Sequence, residues 1–179
     1  MPTSQIRIAD MMEESGVKFG TSGARGLVTD MSDRVCYAYT AGYLQYLESS
    51  GELSAPATVA VGGDLRPSTG RIMGAVAKAC TDRGYSVQHC GRLPTPALAA
   101  EGLRSGAPTA MVTGSHIPAD RNGIKYTKRA GEILKSDEAG MKAQLVTLNE
   151  DLFDPAGMLK EAFTLLELDL GPTGRYVAR

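Results

Sequence analysis

The chain has 179 residues, room for one ordinary domain with an extension, and its 42% hydrophobic and 22% charged residues are those of a soluble globular protein. A net charge of −1, with acidic and basic residues interspersed, excludes the clustered basic surface that a nucleic-acid partner requires. No apolar run approaches the ~18 residues of a membrane helix, and the polar N-terminus lacks a signal-peptide pattern, so a cytoplasmic protein without membrane partners is expected. Cys36, Cys80 and Cys90 fit neither a disulfide framework nor a zinc site and are expected to be buried thiols. With sparse aromatics and no Trp, the core is expected to consist of Ala, Val, Leu, Ile and Met.

In chain order, Val17-Lys18-Phe19 reads as a short strand leading into the glycine-punctuated loop Gly20 to Gly26. Ser32 or Asp33 caps a helix running to Glu48, with Val35, Tyr39, Tyr43 and Tyr46 on one face. Thr58 to Val61 is a β-branched run that stops at Gly62-Gly63-Asp64, and Ser68 or Thr69 opens a helix ending at Gly84. Ser86 to Cys90 is the next strand, and a helix follows to Arg104 with Pro96 at its first position. Ala110 to Thr113 is a strand that delivers the chain to Ser115. Ile124–Thr127 and Glu132–Leu134 form a hairpin turning at Gly131, and Ser136 to Asn149 is a helix.

This alternation predicts a three-layer α/β/α domain: a mainly parallel, mixed sheet with helices on both faces. Ligands in such sheets collect outside the strand carboxyl ends, here taken as the loops after Phe19, Val61, Cys90 and Thr113. After Asn149 the pattern breaks at Asp154-Pro155-Ala156-Gly157 and again at Gly171-Pro172. Residues 1–152 are expected to form the domain, and 153–179 a linker and the truncated start of a second one.

The loop around Ser115 carries the chemistry. A Ser-His hydrolase is excluded on geometry, because adjacent residues of an extended segment point to opposite sides and His116 cannot easily serve as the base for Ser115, and the nucleophile elbow G-x-S-x-G is missing. His89, mid-strand, reads as a packed or surface residue. A phosphoryl-carrying serine instead needs cations and backbone donors around it, usually with a divalent metal. Arg25, Arg66, His116 and Lys125 supply positive character, and the Gly20–Gly26 loop offers a backbone nest for anionic oxygens. The residues alone leave open an anion site or an ordinary turn.

Gly20-Thr21-Ser22-Gly23-Ala24-Arg25-Gly26, Gly63-Asp64-Leu65-Arg66, Pro94-Thr95-Pro96 and the stretch Thr113 to Lys125 lie in the order of four loops of the α-D-phosphohexomutases. Over residues 17 to 150 the chain resembles the N-terminal domain of that phosphoglucomutase and phosphomannomutase superfamily. The resemblance implies that a phosphoserine at Ser115 passes its phosphoryl group to a hexose monophosphate. The resulting hexose 1,6-bisphosphate, which is also the activator, reorients and returns the other group. It further implies that Arg25 contacts the phosphoserine, Lys125 is general acid/base with His116 assisting, and Thr21, Ser22, Arg66 and Asn122 bind phosphate or substrate. Mg²⁺ would be held by the Ser115 phosphoryl oxygen and by an aspartate-rich loop of a second domain. A lysine acting as base needs its pKa lowered by burial or neighbouring cations.

Ile117 stands where many relatives have Asn, which removes one side-chain hydrogen bond from the loop. The metal, sugar and distal phosphate loops of the family's later domains have no match in these residues, so the chain alone is expected to lack mutase turnover. The rival reading is a non-catalytic module of the same fold that binds a phosphosugar or a protein. An unrelated nucleotide-binding domain is disfavoured by the absence of G-x-x-x-x-G-K-[ST].

Overall fold

A computed structural model describes residues 2–20, 23–165 and 167–178. The chain begins with β1 (Thr3–Arg7), α1 (Ile8–Ser15), β2 (Lys18–Gly20), β3 (Gly23–Leu27) and α2 (Asp33–Ser49). Next come β4 (Thr58–Gly63), α3 (Thr69–Asp82), β5 (Ser86–Arg92), α4 (Thr95–Ser105) and β6 (Thr109–Val112). It finishes with β7 (Arg121–Lys128), β8 (Gly131–Glu132), α5 (Lys135–Lys142), β9 (Leu145–Asn149), a 3₁₀ turn at Glu150–Leu152 and α6 (Gly171–Val177).

Alternation within the central strands sets the layers. Val59 and Val61 of β4 and Ala110 and Val112 of β6 enter the larger apolar core, whereas Ala60 and Met111 enter a smaller one on the opposite face. A sheet apolar on both faces needs two covers. The helices α2 and α3 supply one, and α4 the other through Ala97 and Leu98. The three-layer α/β/α architecture expected from the sequence is therefore present.

The strand order is β2-β3-β7-β6-β4-β5, with β8 paired to β7. The sheet is mixed: β4 runs parallel to β5 and β6, and β7, β3 and β2 add on antiparallel. Two expectations about its loops are corrected. Residues 23–27 are a strand, so the glycine-rich stretch from Gly20 to Gly26 is not one loop. The strand β2 also runs against β4–β6, so the chain after Phe19 does not emerge in the row of parallel carboxyl ends. Gly23 is held where a side chain cannot fit, since a Cβ there would lie 1.9 Å from the Ile124 carbonyl oxygen.

Twelve of the α2 residues are buried, because the helix is covered by the sheet, by α3 and by α1, α5 and β9. Ser32 caps it, accepting from the Val35 N–H at 3.4 Å. The expectation of a core without aromatics is corrected: Tyr39, Tyr43 and Tyr126 are among the largest fully buried side chains. Each phenol has a partner, as burial demands. Tyr43 stacks on Tyr126 at 4.3 Å, its hydroxyl donates to the Thr127 carbonyl at 2.9 Å, and the Tyr126 hydroxyl meets Thr40 Oγ1 at 3.0 Å. The three cysteines are buried and unpaired, as expected.

The helix expected to reach Asn149 ends at Lys142, and β9 pairs antiparallel with β1 from Thr3↔Asn149 to Arg7↔Leu145. Helix α4 begins at Thr95, which puts Pro96 second. Residues 153–165 and 167–178 fold back on the domain: Phe153 is buried edge-on to Tyr37, Asp169 N–H donates to the His89 carbonyl, and Arg175 reaches Glu101. Among the described residues no helix is long and apolar enough to cross a membrane.

Candidate active site

The turn after β6 carries the serine. Ser115 has φ 54°, a left-handed conformation uncommon outside glycine, and its side chain is exposed. The segment is thus not extended, and the expectation that His116 must point away is corrected: Ser115 Oγ and His116 Nδ1 lie 3.3 Å apart. Among the described residues His116 hydrogen-bonds no carboxylate, so the third member of a hydrolase triad is not provided there.

Ser115 and His116 open onto a cleft of about 310 Å³ over the α4 face of the sheet. Its other walls come from β3 (Gly23, Ala24, Arg25), from β7 (Gly123, Ile124, Lys125), and from Thr95 at the start of α4. Antiparallel pairing explains the assembly. Gly23 pairs with Lys125 and Arg25 with Gly123, while Met111 pairs with Lys125, so Arg25, Lys125 and the serine turn are brought together across three strands. Arg25 is half-buried and makes no side-chain hydrogen bond or ion pair among the described residues. Lys125 is half-buried, and its Nζ donates to Glu132 Oε1 at 2.8 Å, so of the expected burial or neighbouring cations it has the first, while its ionic neighbour is a carboxylate. Thr21 and Ser22 lie outside the described residues.

Two residues expected to bind phosphate have other partners. The Arg66 guanidinium points into the serine turn: Nη1 donates to the carbonyls of Pro118 (2.6 Å) and Arg121 (3.0 Å), and Nη2 to those of Ile117 (2.6 Å) and Ser115 (3.4 Å). Its Nε lies 3.3 Å from Asp64 Oδ2. All five N–H bonds are therefore committed, and none is left for a ligand. Asn122 is fully buried; its Nδ2 donates to Ser68 Oγ (2.9 Å) and Thr69 Oγ1 (3.1 Å), and its Oδ1 accepts from the Gly123 N–H (2.8 Å). Asn122 thus fixes β7 to the start of α3, and Ser68, at the cap position, spends its hydroxyl on Asn122 rather than on the helix.

Asp64 is the residue that sequence reasoning passed over. Its carboxylate accepts from Thr69 Oγ1 (2.6 Å), the Arg66 N–H (3.0 Å) and the Gly114 N–H (3.0 Å). Burial by itself would raise its pKa, but the hydrogen bonds from Thr69, Arg66, Gly114 and Thr113 outweigh it and hold the carboxyl below the ordinary range. The signal was present, an Asp two residues before an Arg at the end of a strand. Thr95, which the sequence places only within a loop, also lines the cleft.

Among the described residues no three His, Cys, Asp or Glu side chains cluster as a metal site, and Asp64 is already committed. Of the expected Mg²⁺ contacts the described residues include only Ser115, with no cluster of carboxylates beside it to complete a site.

Residues 16–150 match the sequence pattern of the family described as phosphoglucomutase/phosphomannomutase, alpha/beta/alpha domain I. The chain is 45% identical over 136 residues to a phosphomannomutase of Sinorhizobium fredii, covering 76% of this chain and 29% of that protein. It is 34% identical over 136 residues to a phosphoglucosamine mutase of Picosynechococcus, covering 72% of this chain and 28% of that one. Among solved structures, a phosphoglucomutase/phosphomannomutase family protein from Burkholderia thailandensis superposes with a TM-score of 0.58 at 26% identity, over 68% of this chain and 28% of that one. The chain spans less than a third of the length of these relatives. With the match covering the whole seven-stranded sheet, β2 to β8, and every described wall of the serine cleft, the chain belongs to the phosphoglucomutase/phosphomannomutase family and corresponds to its α/β/α domain I.

Proposed function

We propose that Ser115 is the phosphoryl carrier of a phosphohexomutase that interconverts hexose 1-phosphate and hexose 6-phosphate. The observation that carries this reading is the exposed, left-handed Ser115 on a cleft it shares with Arg25, His116 and Lys125. The loaded serine loses its Oγ–P bond while a sugar hydroxyl oxygen forms a new bond to the same phosphorus. The hydroxyl proton passes to a base, and Ser115 leaves as an alkoxide that takes up a proton. In the second half the other phosphoryl group of the bisphosphorylated sugar returns to Ser115, with each bond and proton reversed.

The chain's residues divide this work. Arg25, a half-buried cation with no internal partner among the described residues, neutralises the phosphoryl oxygens. Lys125 exchanges Glu132 for the reacting oxygens and moves the proton, and His116, within reach of Ser115 Oγ, assists. Residues 153–179 are a linker and the start of a second domain that supplies the sugar contacts and the Mg²⁺ carboxylates, so this chain alone loads Ser115 without turning over. The end of the family match at residue 150 supports that division.

The test compares intact mass before and after incubation with hexose 1,6-bisphosphate and Mg²⁺, for the wild type and Ser115→Ala. A gain of one phosphoryl group by the wild type alone is expected. An unmodified wild type, or equal labelling of the variant, overturns the assignment.

A further inference from the structure

We propose that Arg66, braced by Asp64, is a positioning residue that clamps the serine turn and holds Ser115 in its left-handed conformation. The inference rests on the reading of Ser115 as phosphoryl carrier. Four main-chain carbonyls, those of Ser115, Ile117, Pro118 and Arg121, converge on one guanidinium. A planar fork with five donors does this where a lysine, a single point charge on a flexible stem, does not.

Asp64 ties the clamp to the sheet from both sides of the turn. Its own N–H donates to the Val112 carbonyl at the end of β6, while its carboxylate holds the Gly114 N–H and Arg66. Gly114 is the passage for the clamp: a Cβ there would lie 2.3 Å from Arg66 Cζ and Nε. The Asp64 loop and the serine turn are therefore built around each other.

The clamp also has an electrostatic effect. A trans peptide points its C=O and N–H in opposite directions, so turning the Ser115 carbonyl toward Arg66 turns the His116 N–H away from it. That N–H has no hydrogen-bond partner among the described residues. It is thereby left as a main-chain donor for a phosphoryl group on Ser115, while the Arg66 charge works from behind the turn.

Amide hydrogen exchange on the whole chain tests the clamp. The wild type is compared with Arg66→Lys and with Gly114→Ala, which leaves Arg66 in place but blocks its position. The Gly114, Ile117 and Arg121 amides report on the turn, and those of β4 and β6 on the fold. Exchange at least tenfold faster in the turn, with β4 and β6 unchanged in both variants, is expected. Unchanged exchange in the turn, or equal acceleration throughout, overturns the proposal. In parallel, Ser115 loading from hexose 1,6-bisphosphate is followed by mass. Loading at least tenfold slower in both variants is expected, and loading at the wild-type rate refutes a positioning role. Should the wild type itself take up no phosphoryl group, the carrier reading fails, while the exchange comparison still decides the clamp.

Discussion

Replacing Asn122 by aspartate and by alanine probes how the cleft is anchored. In the alanine variant three hydrogen bonds vanish, two of them buried, and the Gly123 N–H is orphaned. At about 1 kcal/mol for each bond, the expected loss is about 3 kcal/mol. The aspartate variant keeps an acceptor for Gly123, and the Ser68 hydroxyl is able to turn and donate to it. Thr69 cannot follow, because its proton is already given to Asp64. An ionised carboxylate in place of the Asn122 amide would face the Thr69 oxygen and lie near the carboxylate of Asp64, so its folded pKa is raised above the unfolded value. Between those two values the native state binds more protons than the unfolded one, and stability falls as pH rises. The Asn122→Asp variant should therefore trail the wild type by about 3 kcal/mol or more near neutral pH, and by at least ~1 kcal/mol less near pH 5. Urea unfolding of the wild type and both variants at the two pH values measures this. A neutral-pH loss under ~1 kcal/mol, or a gap that does not move with pH, would refute the reasoning.

Two further substitutions test the packing. Gly23→Ala drives a Cβ into the Ile124 carbonyl and must part β3 from β7, at a cost of about 3 kcal/mol, whereas Gly174→Ala, with open space at its Cβ, should be neutral or slightly stabilising; urea midpoints decide. Glu101 is buried, and its pKa is drawn down to about 2 by Arg104 against the effect of burial, with further help from Arg175 and Gln88. Its contribution is full above the ordinary glutamate pKa and is lost as pH falls through about 2. Glu101→Gln should thus cost on the order of 3 kcal/mol near neutral pH and loosen α6, with the difference from wild type vanishing in acid. Equal exchange of the α6 amides in the two proteins at neutral pH would count against it.

The central strands, α2, α3, α4 and the gathering of chemistry near Ser115 were legible because period-2 and period-3.6 patterns and glycine stops are local. What was missed depends on distant partners. Of Thr3–Arg7 only Ile6 is buried, and its pairing with β9 becomes visible only once the chain is folded. The strand β9 did carry a signal: Val146 and Leu148 are buried while Leu145 and Thr147 are exposed, a period of two inside what read as a helix. At the site, residue type and destination came apart. Arg66 and Asn122 are the cation and the amide expected beside an anion, yet folding spends one on the serine turn and the other on α3. Tyrosines entered the core because each found a hydrogen-bond partner, a matter of placement rather than composition.

The antiparallel pairing of β1 with β9 also bears on how the chain acquires its structure during synthesis. Residues made first wait for partners made some 140 positions later, a separation read from the Thr3↔Asn149 register. Closing so long a loop carries an entropic cost that grows only slowly with its length, so the waiting is kinetic more than thermodynamic. At roughly 5–20 residues per second, the β1 segment spends many seconds of translation unpaired after it is made. The helix beside it, α1, with Ile8 and Met11 buried only in the finished domain, shares that delay. The parallel β4–β6 unit and its helices can assemble earlier, so the nascent domain would close from its middle outward.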